Sequence, residues 1–489
     1  TATDIYNNTI NASDLTFVEG DLTNLEFTAS IENNAAARYW AQHPDYKAED
    51  ESCIKNYYQL AVYNAKTRRD KPNPILVPVY TSTSSQTVTY WRKADMSDKK
   101  TVSVAKNTNV AEIYDDNFIP GTVYTYESTY NGAKGKFTVG GTLRMMNIGT
   151  NVVNMRDLGG KVGKDGKYVK YGKLYRSAEF KGSTCNINDT EKAALVALGI
   201  NAELDLRNTD GGTSKAWIPN LVNNDNYFYA QFSSIIANGP GRMYESSTIN
   251  LLKNEFTFLV ANLRKGRSVQ YHCRIGADRT GLFSFLILGI LGVSEADILR
   301  DYESTSYAPT DKVGLRTKED GDGDGAASNY KTKVPTFRAT ASTFVGAFEK
   351  YFLETLKVSQ ANIDDFRSIM LGDTPLPSDV EAEELAKQEA AKEAKKTEIS
   401  TLITNINTKI ADLRKDVGTE PGKYTLDDPN GAIPAAEQEV TTAASIITNT
   451  ATLEQLNEEV TKLTACLEAL NGVTKTQIPE KEDEDQVAA

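Results

Sequence analysis

At 489 residues with 40% apolar content, the chain exceeds what one hydrophobic core holds, and about three domains are expected. The net charge of -12 is carried by the C-terminal part: from residue 375 onward 11 Lys and Arg stand against 23 Asp and Glu, so the remainder is near neutral and offers no basic face for nucleic acid. The longest apolar run, around Gly281 to Val293, is too short to cross a bilayer, and no membrane span is expected.

The chain opens "TATDIYNNTI" without an initiator Met, which fits removal of a secretion signal and does not decide it. Residues 1–147 are assigned to a β-sandwich, with the strongest signal over 70–147. There "ILVPVYTSTS", "TVTYWRK", "KTVSVA", "TVYTYEST" and "GKFTV" are rich in Val, Thr and Tyr, with turn residues between them. The phrase "NFIPGTVYTYES" resembles the penultimate strand region of fibronectin type III-like domains.

Residues 148–374 alternate strands with helices, as in "NDTEKAALVALGI" before "NAELDLR" and "SVQYHC" before "TGLFSFLILGILG". This rhythm predicts an α/β domain with a mainly parallel sheet. Four cysteines (Cys53, Cys185, Cys273, Cys466) lie far apart, with neither a CxxC zinc or redox spacing nor a disulfide framework. Cys273 stands apart from the other three. It follows an apolar strand ending in His272 and precedes Gly276, Arg279, Thr280 and a buried helix. A thiol must ionise to attack phosphorus, and a helix N-terminus lowers its pKa. The amides of Arg274, Ile275, Gly276, Ala277, Asp278 and Arg279 are positioned to curl round a tetrahedral oxyanion. Gly276 permits the bend, and the guanidinium of Arg279 supplies a two-pronged clamp. Thr280 can donate its hydroxyl to the sulfur.

Residues 375–475 turn to Ala, Glu and Lys. Ile399, Ile403, Ile406, Ile410, Leu413 and Val417 form one heptad seam, and Leu453, Leu456, Val460, Leu463, Leu467 and Leu470 another. Pro434 is expected to open a shorter helix carrying Val440, Ala444 and Ile447, while Thr452 with Gln455 reads as a capping box. Three helices with short connections predict an antiparallel bundle, a possible protein-partner surface. Residues 476–489 read as an acidic, disordered tail.

"YHCRIGADRTG" (271–281) resembles the signature of the cysteine-dependent tyrosine phosphatases. Together with "NMRDLGG" (154–160), "LYRSAE" (174–179), "LDLR" (204–207), "LGVSEADILRDYESTS" and "FEKYFLETLKVSQANIDDFRSIML", it resembles the atypical bacterial tyrosine phosphatases whose signature reads HCxxGxDRTG. The resemblance implies a phosphocysteine intermediate, no metal and no cofactor, with Cys273 as nucleophile, Arg279 as phosphate clamp and His272 orienting the loop. It also makes Asp278 the leading general acid and base, with Asp205, at a strand end, second. The stretch "IIANGPGRMYESS" offers no Asp, and Glu245 is its one carboxylate. Arg156 and Asp157 are expected to pair and pin a loop near the site, and Arg176 and Arg207 to make structural ion pairs. Family members acting on phosphoinositides commonly carry Lys where this chain has Ala277, which favours phosphotyrosine protein or a small phosphomonoester. An inositol-phosphate phosphatase, and a non-catalytic binding protein with a relic domain, are the alternatives. "EDGDGDGAASNYK" (319–331) spaces Asp320, Asp322 and Asp324 like calcium ligands, but Lys331 stands where the closing Glu belongs, so an acidic loop is expected. The appended domains suggest a periplasmic or extracellular setting, with cytoplasmic as the alternative.

Overall fold

The computed structural model describes residues 21–32, 72–130, 132–208, 216–218, 225–231, 239–308, 330, 332–448 and 450–480. Most of residues 1–69 including Cys53, the acidic loop around Asp320 and the last residues of the tail lie outside them. The chain forms two compact units, Thr1–Ser378 and Asp379–Ala489.

The first unit begins with seven strands: β1 (Leu25–Ser30), β2 (Ile75–Pro78), β3 (Gln86–Trp91), β4 (Lys100–Val104), β5 (Val110–Ile113), β6 (Val123–Ser128) and β7 (Lys134–Gly140). Five pair in the order β1-β7-β6-β3-β4, and β2 pairs with β5 in a second sheet. The alternation predicted from sequence is visible in β3, where Gln86, Val88 and Tyr90 are buried and their neighbours half-buried. Both sheets contribute to one apolar core around Ile75, Ile113, Phe118, Tyr124 and Phe137. β1 runs parallel to β7, and β5 was not among the expected strands. Its "VAEI" is too short and mixed to signal itself without the partner strand.

The α/β domain follows, with β8 (Arg156–Asp157), β9 (Tyr168–Val169), β10 (Leu174–Ser177), α1 (Asp189–Ala197), β11 (Ile200–Asp205), β12 (Tyr227–Tyr229), α2 (Ser246–Arg264), β13 (Ser268–His272), α3 (Asp278–Ile290) and α4 (Glu295–Glu303). Helices α5 (Val334–Arg338), α6 (Phe344–Lys350) and α7 (Gln360–Met370) and the short strand β14 (Leu371–Gly372) complete it, β14 pairing with β9. The main sheet runs β12-β11-β13-β10-β8, parallel at three pairings and antiparallel where β8 meets β10. β13 is central and nearly all buried, as expected for a strand covered on both faces, with Val269 and Tyr271 in the apolar core and Gln270 and His272 buried as polar residues. Every residue of α3 is buried, so the helix that follows the cysteine loop lies inside the domain core rather than on its surface.

The second unit contains most of a long helix, α8 (Ser378–Arg414), then β15 (Tyr424–Asp427), α9 (Ala432–Thr448), α10 (Leu453–Ala469) and β16 (Thr474–Gln477). Ile399, Ile406, Ile410, Leu413, Leu456, Leu463 and Leu470 share one core with residues of α9, and the Thr452–Gln455 capping box is formed. Three expectations need correction. α9 starts at Ala432, where Asp428 accepts from the Ala432 and Ile433 amides, rather than at Pro434. It buries Ala436 and Ala443 and leaves Ala444 exposed, because small residues let its backbone approach the neighbouring helix closely. Val417 lies beyond the helix end and is exposed. The β15–β16 hairpin closes the unit and had no clear strand signal.

Glu459 occupies a buried position on α10. Burial and the neighbouring Glu439 carboxyl raise it to about 7. The folded pKa thus exceeds the unfolded one, so the contribution of this group to stability is complete below about pH 4.3 and is lost as pH rises through about 7. Melting of the helical unit, followed by circular dichroism from pH 5 to 8.5, is expected to fall with pH in the wild type. Glu459→Gln is expected to flatten that slope and to melt higher than the wild type at pH 8.

Candidate active site

The five residues from Cys273 to Ala277 connect the C-terminal end of β13 to the start of α3, at the carboxyl edge of a parallel sheet. Each carbonyl from Cys273 to Ala277 is bound by a donor. His272 Nδ1 meets Cys273 O at 2.9 Å, and the Glu179 amide donates to Arg274 O at 3.0 Å. Asn154 Nδ2 reaches Ile275 O (3.2 Å) and Gly276 O (3.1 Å). Arg176 Nη2 donates to Gly276 O (2.8 Å) and Ala277 O (3.3 Å), and the Gly281 amide closes the first helical turn on Ala277 O. In a planar trans peptide the N–H points opposite to the preceding C=O, so fixing these carbonyls turns the amides of residues 274–278 to the other side.

The donors are themselves held. Asp301 on α4 accepts from Arg156 Nε (2.9 Å) and Arg176 Nη1 (2.6 Å), with all three side chains buried. Burial opposes the Asp301 charge, yet Arg156 and Arg176 outweigh it and keep the carboxyl ionised far below its usual range. Arg156 Nη1 also fixes Asn154 Oδ1 at 2.7 Å, which leaves the Asn154 amide nitrogen facing the loop. Asn154 has φ +54°, a conformation that Asn tolerates better than most residues.

Cys273 is 2% exposed. Burial pushes its thiol up, but the Arg279 charge and the neighbouring Thr280 hydroxyl and amide pull harder, leaving it below the ordinary thiol value. His272 Nε2 lies 2.7 Å from Glu203 Oε1, and Asp205 is 4.0 Å away. Burial disfavours the imidazolium, whereas Asp205 and Glu203 favour it, and the net shift is upward; Glu203 is raised chiefly by its own burial. A ring placed between a carbonyl and a carboxyl therefore holds a proton at both nitrogens or shares one with Glu203. Asp278 and Arg279 begin α3, and the Tyr302 hydroxyl donates to Asp278 Oδ1 at 3.0 Å while its ring stacks on Tyr330 at 4.3 Å. Arg274 is exposed and Ile275 half-buried.

Several expected residues are placed differently. Arg156 does not pair with Asp157: strand alternation sends the two to opposite faces, so Arg156 meets Asp301 and Asp157 meets Arg144 at 2.8 Å. Asp205 is engaged by Arg207 through Nε (2.8 Å) and Nη2 (2.7 Å) and by the Tyr227 hydroxyl (2.8 Å), which fixes it beneath the loop as an ion-pair partner. Arg207 also reaches Glu179, and Glu245 pairs with Arg242. Among the described residues Glu203, Asp205 and His272 form one cluster of potential metal ligands, but these groups already bond to one another or to Arg207. Asn154, Glu179, Glu203, Asp301 and Tyr302 had not been singled out. They lie inside or beside the stretches that carried the family resemblance, and no local spacing reveals partners that stand from 24 to 151 positions away.

A buried thiol of lowered pKa, beside a guanidinium and at the mouth of a helix, is equipped to hold and attack a tetrahedral oxyanion. Residues 149–372 match the tyrosine phosphatase family. The central domain belongs to that family. Two curated relatives agree. A Cupriavidus necator protein named "Putative tyrosine-protein phosphatase" is 26% identical over 167 residues, covering 31% of this chain and 59% of the relative. A Nostoc commune "Tyrosine-protein phosphatase" is 26% identical over 211 residues, covering 37% of this chain and 69% of the relative. The chain thus spans somewhat more than half to two thirds of these relatives, and its N- and C-terminal regions fall outside the family match.

The tightest steric constraint in the phosphatase loop is at Gly276, with φ +72° and an added Cβ placed 2.7 Å from the Ala178 amide nitrogen and closer still to the Ser177 carbonyl. Gly276→Ala is expected to leave the domain folded by circular dichroism but to weaken orthovanadate inhibition and reduce p-nitrophenyl phosphate hydrolysis by about 100-fold, since small displacements of a cradle cost that much.

Proposed function

We propose that this protein is a protein-tyrosine phosphatase that hydrolyses phosphomonoesters through a phosphocysteine intermediate. The observation that carries the reading is the set of five bound carbonyls, each of which turns the following amide away from its donor and keeps it available to an oxyanion. In the first step the Cys273 sulfur forms a bond to phosphorus as the ester P–O bond breaks, and Asp278 gives its proton to the leaving oxygen. Arg279 and the amides hold the non-bridging oxygens as charge builds on them. In the second step water attacks the phosphocysteine, Asp278 takes the water proton, and the thiolate leaves with a hydrogen bond from Thr280. His272 and Glu203 hold the Cys273 carbonyl from behind.

Two features support phosphotyrosine over a polyanionic inositol head group. Ala277 is buried and brings no cation, and the exposed Arg274 is the cation the loop adds beyond Arg279. An aryl phosphate, which carries at most two negative charges, needs no more than these two. The appended regions are read as a fibronectin III-like module and a three-helix bundle able to take a protein partner, supported by two sheets on one core and three helices on another.

With a phosphotyrosine peptide as substrate, Cys273→Ser is expected to remove hydrolysis, and quenched wild-type reactions are expected to carry 80 Da of phosphoryl on Cys273 by mass spectrometry. Hydrolysis by Cys273→Ser at the wild-type rate would remove the proposed nucleophile. Asp278→Asn is expected to lower kcat about 100-fold or more for phosphotyrosine and less for an ester with an acidic leaving group, because the leaving oxygen then needs less help. The acid limb of kcat/KM is expected below the ordinary thiol value near 8.5, as the lowered Cys273 pKa requires, with activity falling as pH drops through it.

A further inference from the structure

The strand pair β8/β10 sits between the N-terminal sheets and the phosphatase loop, and it is gripped on both faces. Its register sets Arg156 opposite Arg176 and Asp157 opposite Tyr175. The first pair points to the loop side and is held by Asp301. The second pair points the other way and is held by one residue of the segment after β7: Arg144 Nη1 donates to Asp157 Oδ2 and to the Tyr175 hydroxyl, each at 2.8 Å. The remaining donors of that guanidinium turn back to the N-terminal region, Nε to Phe118 O (3.0 Å) and Nη2 to Asp116 O (2.9 Å). Phe118 belongs to the N-terminal core.

The backbone repeats the connection. The Asp157 amide donates to Arg144 O and the Met146 amide to Met155 O, so the segment after β7 runs as an added edge along β8. Arg144 is 2% exposed, and burial of a guanidinium is costly unless its donors are satisfied. Asp301 also lines a cleft of about 300 Å³ at the same junction, with Glu32 and Thr142 of the N-terminal region on its wall.

We infer that Arg144 is a positioning residue of the phosphatase site and that the N-terminal sheet region, through it, is a structural part of the catalytic apparatus. The mechanical sequence is short: Phe118 and Asp116 carbonyls, Arg144, the Asp157/Tyr175 pair, the adjoining Arg156/Arg176 pair, and the Gly276 and Ala277 carbonyls. Loss of Arg144 lets β8 and β10 shift, Arg176 loses its aim at the loop, and the amides leave their common side. This inference rests on the phosphatase reading for its consequence, though not for its geometry.

The test uses the full chain with Arg144→Met and, as a near-isosteric second variant, Tyr175→Phe. Three quantities are measured: kcat and KM for p-nitrophenyl phosphate, orthovanadate inhibition, and the pH midpoint for alkylation of Cys273 by iodoacetamide, read by mass spectrometry. For Arg144→Met we expect kcat to fall about 10- to 100-fold with KM changing much less, vanadate inhibition to weaken in parallel, and the alkylation midpoint to move up. Tyr175→Phe should move all three in the same direction by less, and Arg144→Met combined with Asp301→Asn should cost less than the product of the single effects, since both act on one device. Folded variants that melt lower but keep wild-type kcat, vanadate inhibition and alkylation midpoint would reduce Arg144 to a stability role and overturn the inference. If Arg144→Met does not fold, Tyr175→Phe decides on the same three readouts. A wild type that fails to hydrolyse any ester would defeat the phosphatase reading alone, because the alkylation midpoint still reports whether Arg144 sets the environment of Cys273.

Discussion

The geometry of the peptide plane is the constraint on which this active site depends. A loop of five residues has no intrinsic reason to present its amides on one side, because each additional residue adds two soft torsions. Here the problem is solved from behind: every carbonyl between Cys273 and Ala277 has a donor, and the donors come from five separate places, the strand residue His272, the Glu179 amide, Asn154, Arg176 and the Gly281 amide. Once the carbonyls are taken, each following amide is turned away from the donor that holds them. The helix that follows adds its own unpaired N–H groups and partial charge to the same side.

This explains a density of buried charge that stability alone does not require. Asp301 with Arg156 and Arg176, and Asp205 with Arg207 and Glu179, are ion pairs with almost no solvent contact. Taking such groups out of water costs several kcal/mol per ion, and apolar residues of similar volume often serve stability as well or better. What an apolar core does not supply is directed hydrogen bonds from a rigid planar fork, and Arg176 uses its fork in this way, with one nitrogen on Asp301 and the other on the loop. The orientation of Arg176 is therefore set by a charge, while its effect is felt as geometry at Gly276 and Ala277. Removing Asp301 would leave two buried guanidinium groups uncompensated, so the loop and the fold around it are protected by the same interaction.

The sequence made some of this legible. Cys273, Gly276, Asp278, Arg279 and Thr280 lie within eight positions, and strand-loop-helix order converts that spacing directly into proximity. The apolar character of α3 and the periodicity of α10 were likewise local. The Arg156–Asp157 pairing failed because adjacent strand residues face opposite ways, and the true partner of Arg156 lies 145 positions further on. Asp205 looked available because a strand end in an α/β sheet is where sites form; Arg207, two residues later and on the same face, occupies it. In the second unit the heptad seams gave the helices, but hydrophobicity alone could not distinguish Ala443 from Ala444, since either methyl fits a polar or an apolar reading.

The two appended regions stand in different relations to the site. The C-terminal helices have their own core and form a compact unit of their own. The N-terminal sheets share the first unit with the phosphatase domain, and the join is made by a guanidinium, a strand edge and a bonded Tyr171 hydroxyl rather than by a linker of Gly and Ser. The bonds of this join converge on the strand pair that aims Arg176 at the loop. A working loop gains rigidity from every element that denies β8 and β10 freedom. Arg144 thus bonds one register step from Arg176, so the N-terminal sheets and the Cys273 loop are tied to neighbouring residue pairs of one strand pair.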